Sequence, residues 1–391
     1  MLKFGDLPKG ARYLIIYYAI GTPSAIAVEI FSAYALRLGY APIYIGALIS
    51  LVSLIATFFL PLIGYLADRR ISAKYLLIIS EGLLGVGLII IGISRNIFHL
   101  LAGRLLLSIS FLFNFTFLVY ERYLYREKTE ECYVWHWIIP TFAAIFSYAL
   151  LILTFLFIEK AEVLAARILF IVFGSMFPVF IAYIYFFLPD VPTVREKTKF
   201  RLEKKFLGII AIYLLSTFGI SFIYGLTMAS IIIEYFGAGF VAIFALGLIE
   251  SLSSLSSSSL KYFSKKECWP VLTDISLLFL TIYGASLYVA QIFVSDNYLL
   301  IIVFVFYFLF NFLFSLWDMG FRPMVMKVVA EEYKGTVFST ISMLRRFLII
   351  PSSLIVGILI QNFGSFSPAL VESIVMIPCL LLYIKVRRGT K

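Results

Sequence analysis

The chain reads as an all-α polytopic membrane protein, with twelve transmembrane helices in two six-helix halves related by a pseudo-twofold axis. Three observations predict this. Of its 391 residues, 62% are hydrophobic and 14% charged, against about 45–50% and about 25% in soluble domains, so a water-soluble fold could not cover its surface. Apolar runs of about 20 residues, long enough to cross a bilayer as a helix, recur along the whole chain. Lysine and arginine gather in every second connection between those runs, which is the bias of cytoplasmic loops.

The runs, numbered here as segments 1 to 12, fall at 12–36, 42–66, 75–94, 97–120, 133–158 and 162–188, then at 206–234, 239–260, 271–293, 297–317, 336–361 and 366–385. They are continuous rather than alternating, which excludes a transmembrane barrel. Segment 1 follows Lys3, Lys9 and Arg12 and carries Glu29; it is too long for a signal core and is expected to stay. Arg69, Arg70 and Lys74 lie between segments 2 and 3, and Arg122, Arg126 and Lys128 between 4 and 5. Arg195, Lys197, Lys199, Arg201, Lys204 and Lys205 form the centre. Lys261, Lys265 and Lys266 follow segment 8, and Arg322, Lys327 and Lys334 follow segment 10. With Lys385, Arg387, Arg388 and Lys391 these make 25 of the 32 basic residues on one face; Arg37, Arg95, Lys160 and Arg167 fall on the other. Both termini are expected in the cytoplasm of a plasma-membrane protein. The expected division is a bundle at 1–190, a basic linker at 191–205 and a second bundle at 206–391.

A net charge of +10 spread over alternate loops predicts no nucleic-acid partner, which would need the charge clustered on one surface. Cys132, Cys268 and Cys379 are scattered without CxxC spacing, so neither a disulfide framework nor a metal site is expected. There is no Gly-x-x-x-x-Gly-Lys-Ser/Thr pattern for ATP, and neither His99 nor His136 sits in an HExxH pattern. No cofactor is expected, and the protein is read as a monomer in the lipid bilayer.

An internal repeat supports the two halves. Phe111-Leu112-Phe113-Asn114-Phe115-Thr116-Phe117 leads to Tyr120-Glu121, and Phe308-Leu309-Phe310-Asn311-Phe312-Leu313-Phe314 leads to Trp317-Asp318, 197 residues on. Gly39 and Gly237, 198 apart, follow segments 1 and 7. A parallel repeat of six helices is one of the architectures of secondary transporters.

Between segments 2 and 3 stands Gly64-Tyr65-Leu66-Ala67-Asp68-Arg69-Arg70. It resembles the loop between helices 2 and 3 of the major facilitator superfamily, Gly-x-x-x-Asp-Arg/Lys-x-Gly-Arg/Lys-Arg/Lys. The second half departs, with Ile71, Ser72 and Ala73 before Lys74, and Lys261-Tyr262-Phe263-Ser264-Lys265-Lys266 after segment 8 lacks the Gly and Asp. Segment 11 is also similar to the family, through Gly335, Arg345-Arg346, Pro351 and Gly357. The resemblance implies transport of a small-molecule substrate by alternating access, a central cavity lined by segments 1, 4, 7 and 10, and no enzymatic activity. It also implies a cytoplasmic gate at Gly64, Asp68 and Arg69 with Arg122. The antiporter signature of helix 5 is absent, since Ile138-Ile139-Pro140-Thr141 keeps only the proline. Direction stays open, with an aromatic, apolar cavity favouring export. The alternative class is a polytopic membrane enzyme or lipid-handling protein, which would need a catalytic cluster near an interface.

Ionisable groups at membrane depth suggest function. Glu29 in segment 1 and Arg104 in segment 4 each fall about 10 Å below the outer surface at 1.5 Å per residue. They are expected either to form a proton switch, with protons as the coupling partner, or to stand as a permanent ion pair. Glu250, Arg345 and Arg346 fall near the midplane; the surplus cation either welcomes an anionic substrate or snorkels to the cytoplasm. Asn114 and Asn311 are expected to bond substrate or a neighbouring helix. Tyr17, Tyr18, Phe218 and Tyr224 are candidates for the cavity wall, and Glu372 has no evident partner. The serine run at 251–259 is read as a packing surface, and Pro23, Pro61, Pro140, Pro178, Pro351 and Pro378 as kink sites.

Overall fold

The computed structural model describes residues 3–59, 71–158, 161–190, 204–263, 269–328 and 334–389. Every regular element among them is helical. Nine helices are long and apolar enough to cross a membrane among the described residues. Segments 2, 4 and 7 appear instead as shorter helices. Segment 2, α3 (Pro42–Thr57), runs towards the edge of the described residues.

Segment 1 is α1 (Lys9–Glu29) followed, after Ile30, by α2 (Phe31–Arg37). Gly39 ends it with φ at +86°, and the Gly39 and Tyr40 N–H groups bond back to Leu36 and Ala35 carbonyls at 2.9 and 3.2 Å. That is a Schellman cap, which needs a residue able to adopt left-handed backbone. Gly237, its repeat counterpart, has φ at +64°. Next come α4 (Ala73–Gly92) and α5 (Ile97–Ser110), the latter capped by the Asn96 side chain, which accepts from the His99 N–H at 3.1 Å. Segment 4 then tightens into a 3₁₀ turn at Phe111–Asn114 before α6 (Phe115–Leu124). After it stand α7 (Thr129–Leu156), α8 (Glu162–Ser175) and α9 (Phe177–Phe187).

Segment 7 is interrupted as well. α10 (Lys204–Ile220) gives way to turns ending at Gly225, with φ at +67°, and resumes as α11 (Leu226–Ser230) and a π-helical turn at Ile231–Tyr235. The remaining helices are α12 (Phe240–Phe263), α13 (Trp269–Phe293), α14 (Asp296–Val328), α15 (Lys334–Phe363) and α16 (Ser367–Gly389). Pro23, Pro140, Pro351 and Pro378 lie inside helices, and Pro178 in the first turn of α9, where its missing N–H costs no bond. Pro61 lies outside the described residues.

The chain divides into two compact units: Met1–Tyr34 with Leu51–Arg195, and Ala35–Ser50 with Glu196–Lys391. In the first, glycines let α4 lie close to two neighbours. A Cβ on Gly103 would come within 2.8 Å of the Gly87 carbonyl oxygen, and one on Gly174 within 2.8 Å of that of Gly85. In the second, α13 and α16 meet where a Cβ on Gly284 would overlap the Ala369 carbonyl, and Gly46 and Gly357 do the same for α3 and α15. Lipid provides no hydrophobic drive between helices, so such close van der Waals approach supplies the packing energy. Serines 251–259 lie in α12, where the hydroxyls of Ser251, Ser256, Ser258 and Ser259 bond carbonyls four residues back. Large apolar side chains turn outward, Phe157 at 88% and Phe293 at 81% exposure, as a surface solvated by acyl chains requires.

Gly284→Ala is expected to cost roughly 1–3 kcal/mol by overpacking. Gly82→Ala, with nothing within 4 Å of the new Cβ, is expected to be neutral or to stabilise by up to about 1 kcal/mol. Thermal unfolding of the two variants in detergent checks this; equal midpoints would count against the close α13–α16 contact.

Candidate functional site

One end of the first unit brings Glu29 and Arg104 near one another. Glu29 closes α1, exposed, and its Oε2 accepts a hydrogen bond from the Tyr148 hydroxyl of α7. Arg104 of α5 makes no ion pair with it. Its guanidinium lies over the Phe31 ring, 5.1 Å from the centroid, with Nε and Nη1 buried and without hydrogen-bond partners among the described residues. Phe31 is two residues from Glu29, so the two expected partners sit within one helical turn in height but are engaged elsewhere. Arg167 of α8 donates from Nε to the Tyr34 hydroxyl at 3.1 Å, and that hydroxyl is 3.2 Å from Ser94 Oγ.

Deeper in the same unit lies a polar cluster of which sequence reasoning found only parts. Tyr17, expected as cavity wall, is 3% exposed and donates to Glu81 of α4. Its neighbour Tyr18 donates to Glu121 Oε1 at 2.7 Å, and Tyr133 of α7 donates to Oε2 at 3.1 Å. His136 places Nδ1 at 4.0 Å from Glu121 Oε1 and 3.0 Å from the Tyr125 hydroxyl, with the Tyr18 ring edge-on at 4.4 Å. Burial above all, then Glu121, Cys132 and Tyr133, pushes the Tyr125 phenol well above its ordinary range. Tyr125 therefore stays protonated, and its hydroxyl can donate to or accept from His136 Nδ1. The available signal was the pair Tyr17-Tyr18 on one helix with acids at 81 and 121, but only the tertiary contact joins them.

In the second unit Glu250 Oε2 accepts from Tyr307 at 2.7 Å. Asn311 is 2% exposed, accepts from the Tyr224 hydroxyl and donates from Nδ2 to the Tyr307 carbonyl at 2.8 Å. Its amide thus joins helices instead of facing an open cavity. Arg345 is exposed, with its guanidinium 5.9 Å from the centroid of the Tyr213 ring and Nη1 3.4 Å from the hydroxyl; Arg346 follows it in α15. Glu372 is wholly buried. Its Oε2 accepts from the Gly284 N–H at 3.2 Å and from Ser373, while Oε1 and the Tyr283 hydroxyl have no partner among the described residues. Towards the C-terminus, Arg387 and Tyr383 both engage Asp274.

Gly64, Asp68 and Arg69 lie outside the described residues. Asn114 belongs to the 3₁₀ turn and Arg122 to α6. No group of three or more metal-ligating side chains occurs among the described residues, and Cys132 and Cys379 are buried free thiols.

No protein-family model and no curated protein sequence matches this chain. Its fold, however, is shared with solved transporters. The nucleoside transporter NupG superposes with a TM-score of 0.72 at 13% identity, over 96% of this chain and 99% of its own. The human organic anion transporter MFSD10 (TETRAN) gives 0.68 at 12% identity, over 96% and 98%. A POT family transporter in complex with a thioalcohol-conjugated peptide gives 0.71 at 12%, over 99% of both chains. The fold is the one these solved transporters share, in an integral membrane protein.

The Tyr17–Glu81 contact has a stability test. Tyr17→Phe strands a buried carboxyl and is expected to cost roughly 1–3 kcal/mol, whereas Tyr17→Phe with Glu81→Leu removes both partners and should cost less than that. Chemical denaturation of the purified variants measures both. A double variant as unstable as the sum of its singles would show that the pair is not coupled.

Proposed function

We propose that this chain is a secondary active transporter that moves a small solute across the plasma membrane by alternating access, driven by protons. Its fold is shared with carriers of nucleosides, organic anions and peptides, and a fold alone does not choose among them. The observation that carries proton coupling is Glu29: a carboxylate at membrane depth, exposed, and held by the neutral hydroxyl of Tyr148 instead of a cation. Such an acid stays charged when a cation such as Arg104 approaches, and takes a proton more readily when only a neutral partner such as Tyr148 is beside it. Alternation between the two partners is the proton switch, and it requires that the carboxylate be reachable, which it is.

The bundles at 1–190 and 206–391, joined by the linker at 191–205, act in this reading as the two rocking bodies. Both termini face the cytoplasm, in keeping with the 25 basic residues on that face. Asp68, with Arg69 and Arg122, holds the cytoplasmic side shut, Gly64 allowing the tight approach of the loop. Glu250, Arg345 and Arg346 contribute the polar wall of the second bundle. Export is the favoured direction, the protein acts as a monomer, and the chain carries out no chemistry on its substrate.

The test is transport in proteoliposomes with an imposed pH gradient, using labelled nucleosides, peptides and organic anions as probes. For whichever class accumulates, Glu29→Gln is expected to abolish gradient-driven accumulation while leaving exchange at equal pH. Accumulation by Glu29→Gln at the parental level would end the assignment of Glu29 as the proton site.

A further inference from the structure

Arg104 presents an imbalance that the described residues do not resolve. Guanidinium stays charged at any physiological pH, and a buried charge without a counter-charge is strongly unfavourable. Its Nε and Nη1 are sealed from solvent and donate to nothing. The Phe31 face, 5.1 Å away, stabilises the cation but offers no lone pair to these N–H groups. The acid expected to serve it, Glu29, is taken by Tyr148.

A second guanidinium engages the same short helix. Phe31 and Tyr34 are three residues apart in α2 and share a face. Arg104 lies over the one, and Arg167 bonds the hydroxyl of the other at 3.1 Å. Two cations therefore flank one short stretch of helix. The stretch is aromatic: Phe31 and Tyr34 are buried, and Phe170 packs on Tyr34 at 5.1 Å between centroids.

We propose that the outer end of the first unit is an oxyanion site, with Arg104 as its principal ligand and Arg167 as its second cation, which takes the carboxylate of a transported organic acid. The oxyanion supplies the acceptors that Arg104 lacks, and the aromatic wall suits a ring or other apolar body attached to it. The release of Arg104 by Glu29 is what empties the site for the solute. A phospholipid headgroup phosphate offers the same chemistry, and the experiment separates the two sources. The inference rests on the reading of the chain as a solute transporter, but its test needs neither turnover nor a gradient.

Benzoate serves as the probe, titrated into the purified full-length protein in detergent at constant ionic strength while thermal unfolding is followed. Benzylamine, a cation of the same shape, and a short-chain phosphatidylglycerol are titrated in parallel. Benzoate is expected to raise the unfolding temperature saturably and benzylamine to leave it unchanged. Arg104→Lys keeps the charge but loses the planar fork, so its half-saturating benzoate should rise about tenfold. Arg104→Gln should lose the response altogether, and where that variant does not fold, Arg104→Lys carries the test. An unresponsive parent protein, or the same benzoate response in parent and Arg104 variants, would overturn the proposal. A response to phosphatidylglycerol alone would overturn the solute assignment in favour of lipid. Benzoate binding retained by Glu29→Gln, with accumulation lost, would support both this site and the proton switch; binding lost in Arg104→Gln while pH-driven accumulation of nucleosides continued would separate them.

Discussion

Hydrocarbon offers no hydrogen-bond partner, so each polar group that this chain takes into the bilayer has to be satisfied inside the protein. Helices settle the backbone. Hydroxyls of α12 fold back onto carbonyls of their own helix, as Ser251 and Ser256 do. The acids cannot do this, because they accept and do not donate when ionised. Their donor is tyrosine in case after case: Tyr148 for Glu29, Tyr17 for Glu81, Tyr18 and Tyr133 for Glu121, Tyr307 for Glu250. Tyrosine suits the task because its ring belongs in an apolar interior while its hydroxyl reaches across a helix contact. It also leaves the acid free to hold or lose a proton, which a bonded arginine would not.

The same constraint explains where the helices break. An interruption frees backbone groups, and in lipid they must be recaptured locally. Thr116 Oγ1 donates to the Phe113 carbonyl at 2.7 Å beside the 3₁₀ turn, and Thr227 Oγ1 to the Phe222 carbonyl at 2.6 Å beside Gly225. Segments 1, 4, 6 and 7 carry breaks, and α4 and α13, which take close glycine contacts, run unbroken. The interrupted helices also bear several of the paired acids and tyrosines. Tyr17, Tyr18 and Glu29 are all on α1, and Glu121 is on α6 just beyond the 3₁₀ turn.

The repeat is carried differently at different levels. Gly39 and Gly237 keep their positive φ, so the turn chemistry survives in both copies. The Phe-Leu-Phe-Asn-Phe stretch does not behave alike: it is a 3₁₀ turn in the first copy and part of the continuous α14 in the second. Asn311 is locked to Tyr224 and Tyr307, and Glu121, opposite Asp318 in the repeat, has the two tyrosine partners described above. Backbone turns depend on one residue's conformational freedom and persist at both Gly39 and Gly237, whereas polar contacts depend on several partners at once.

Apolar length and the placement of lysine and arginine determined by themselves that this is a helical membrane protein, since the bilayer acts on each segment separately. The turn at Gly39 was legible for the same reason, being local. The nine long helices follow the expected runs closely, while the interruptions at Phe111 and Gly225 follow from packing that no run of apolar residues announces. Glu29 and Arg104 stood out as charges at depth, but their partners, Tyr148 and Phe31, come from helices distant in sequence. Tyr17 with Glu81, and Tyr18 with Glu121 and His136, were decided by tertiary structure alone. A buried carboxyl chooses among 25 tyrosines by reach and direction, and these are set only once the helices have packed.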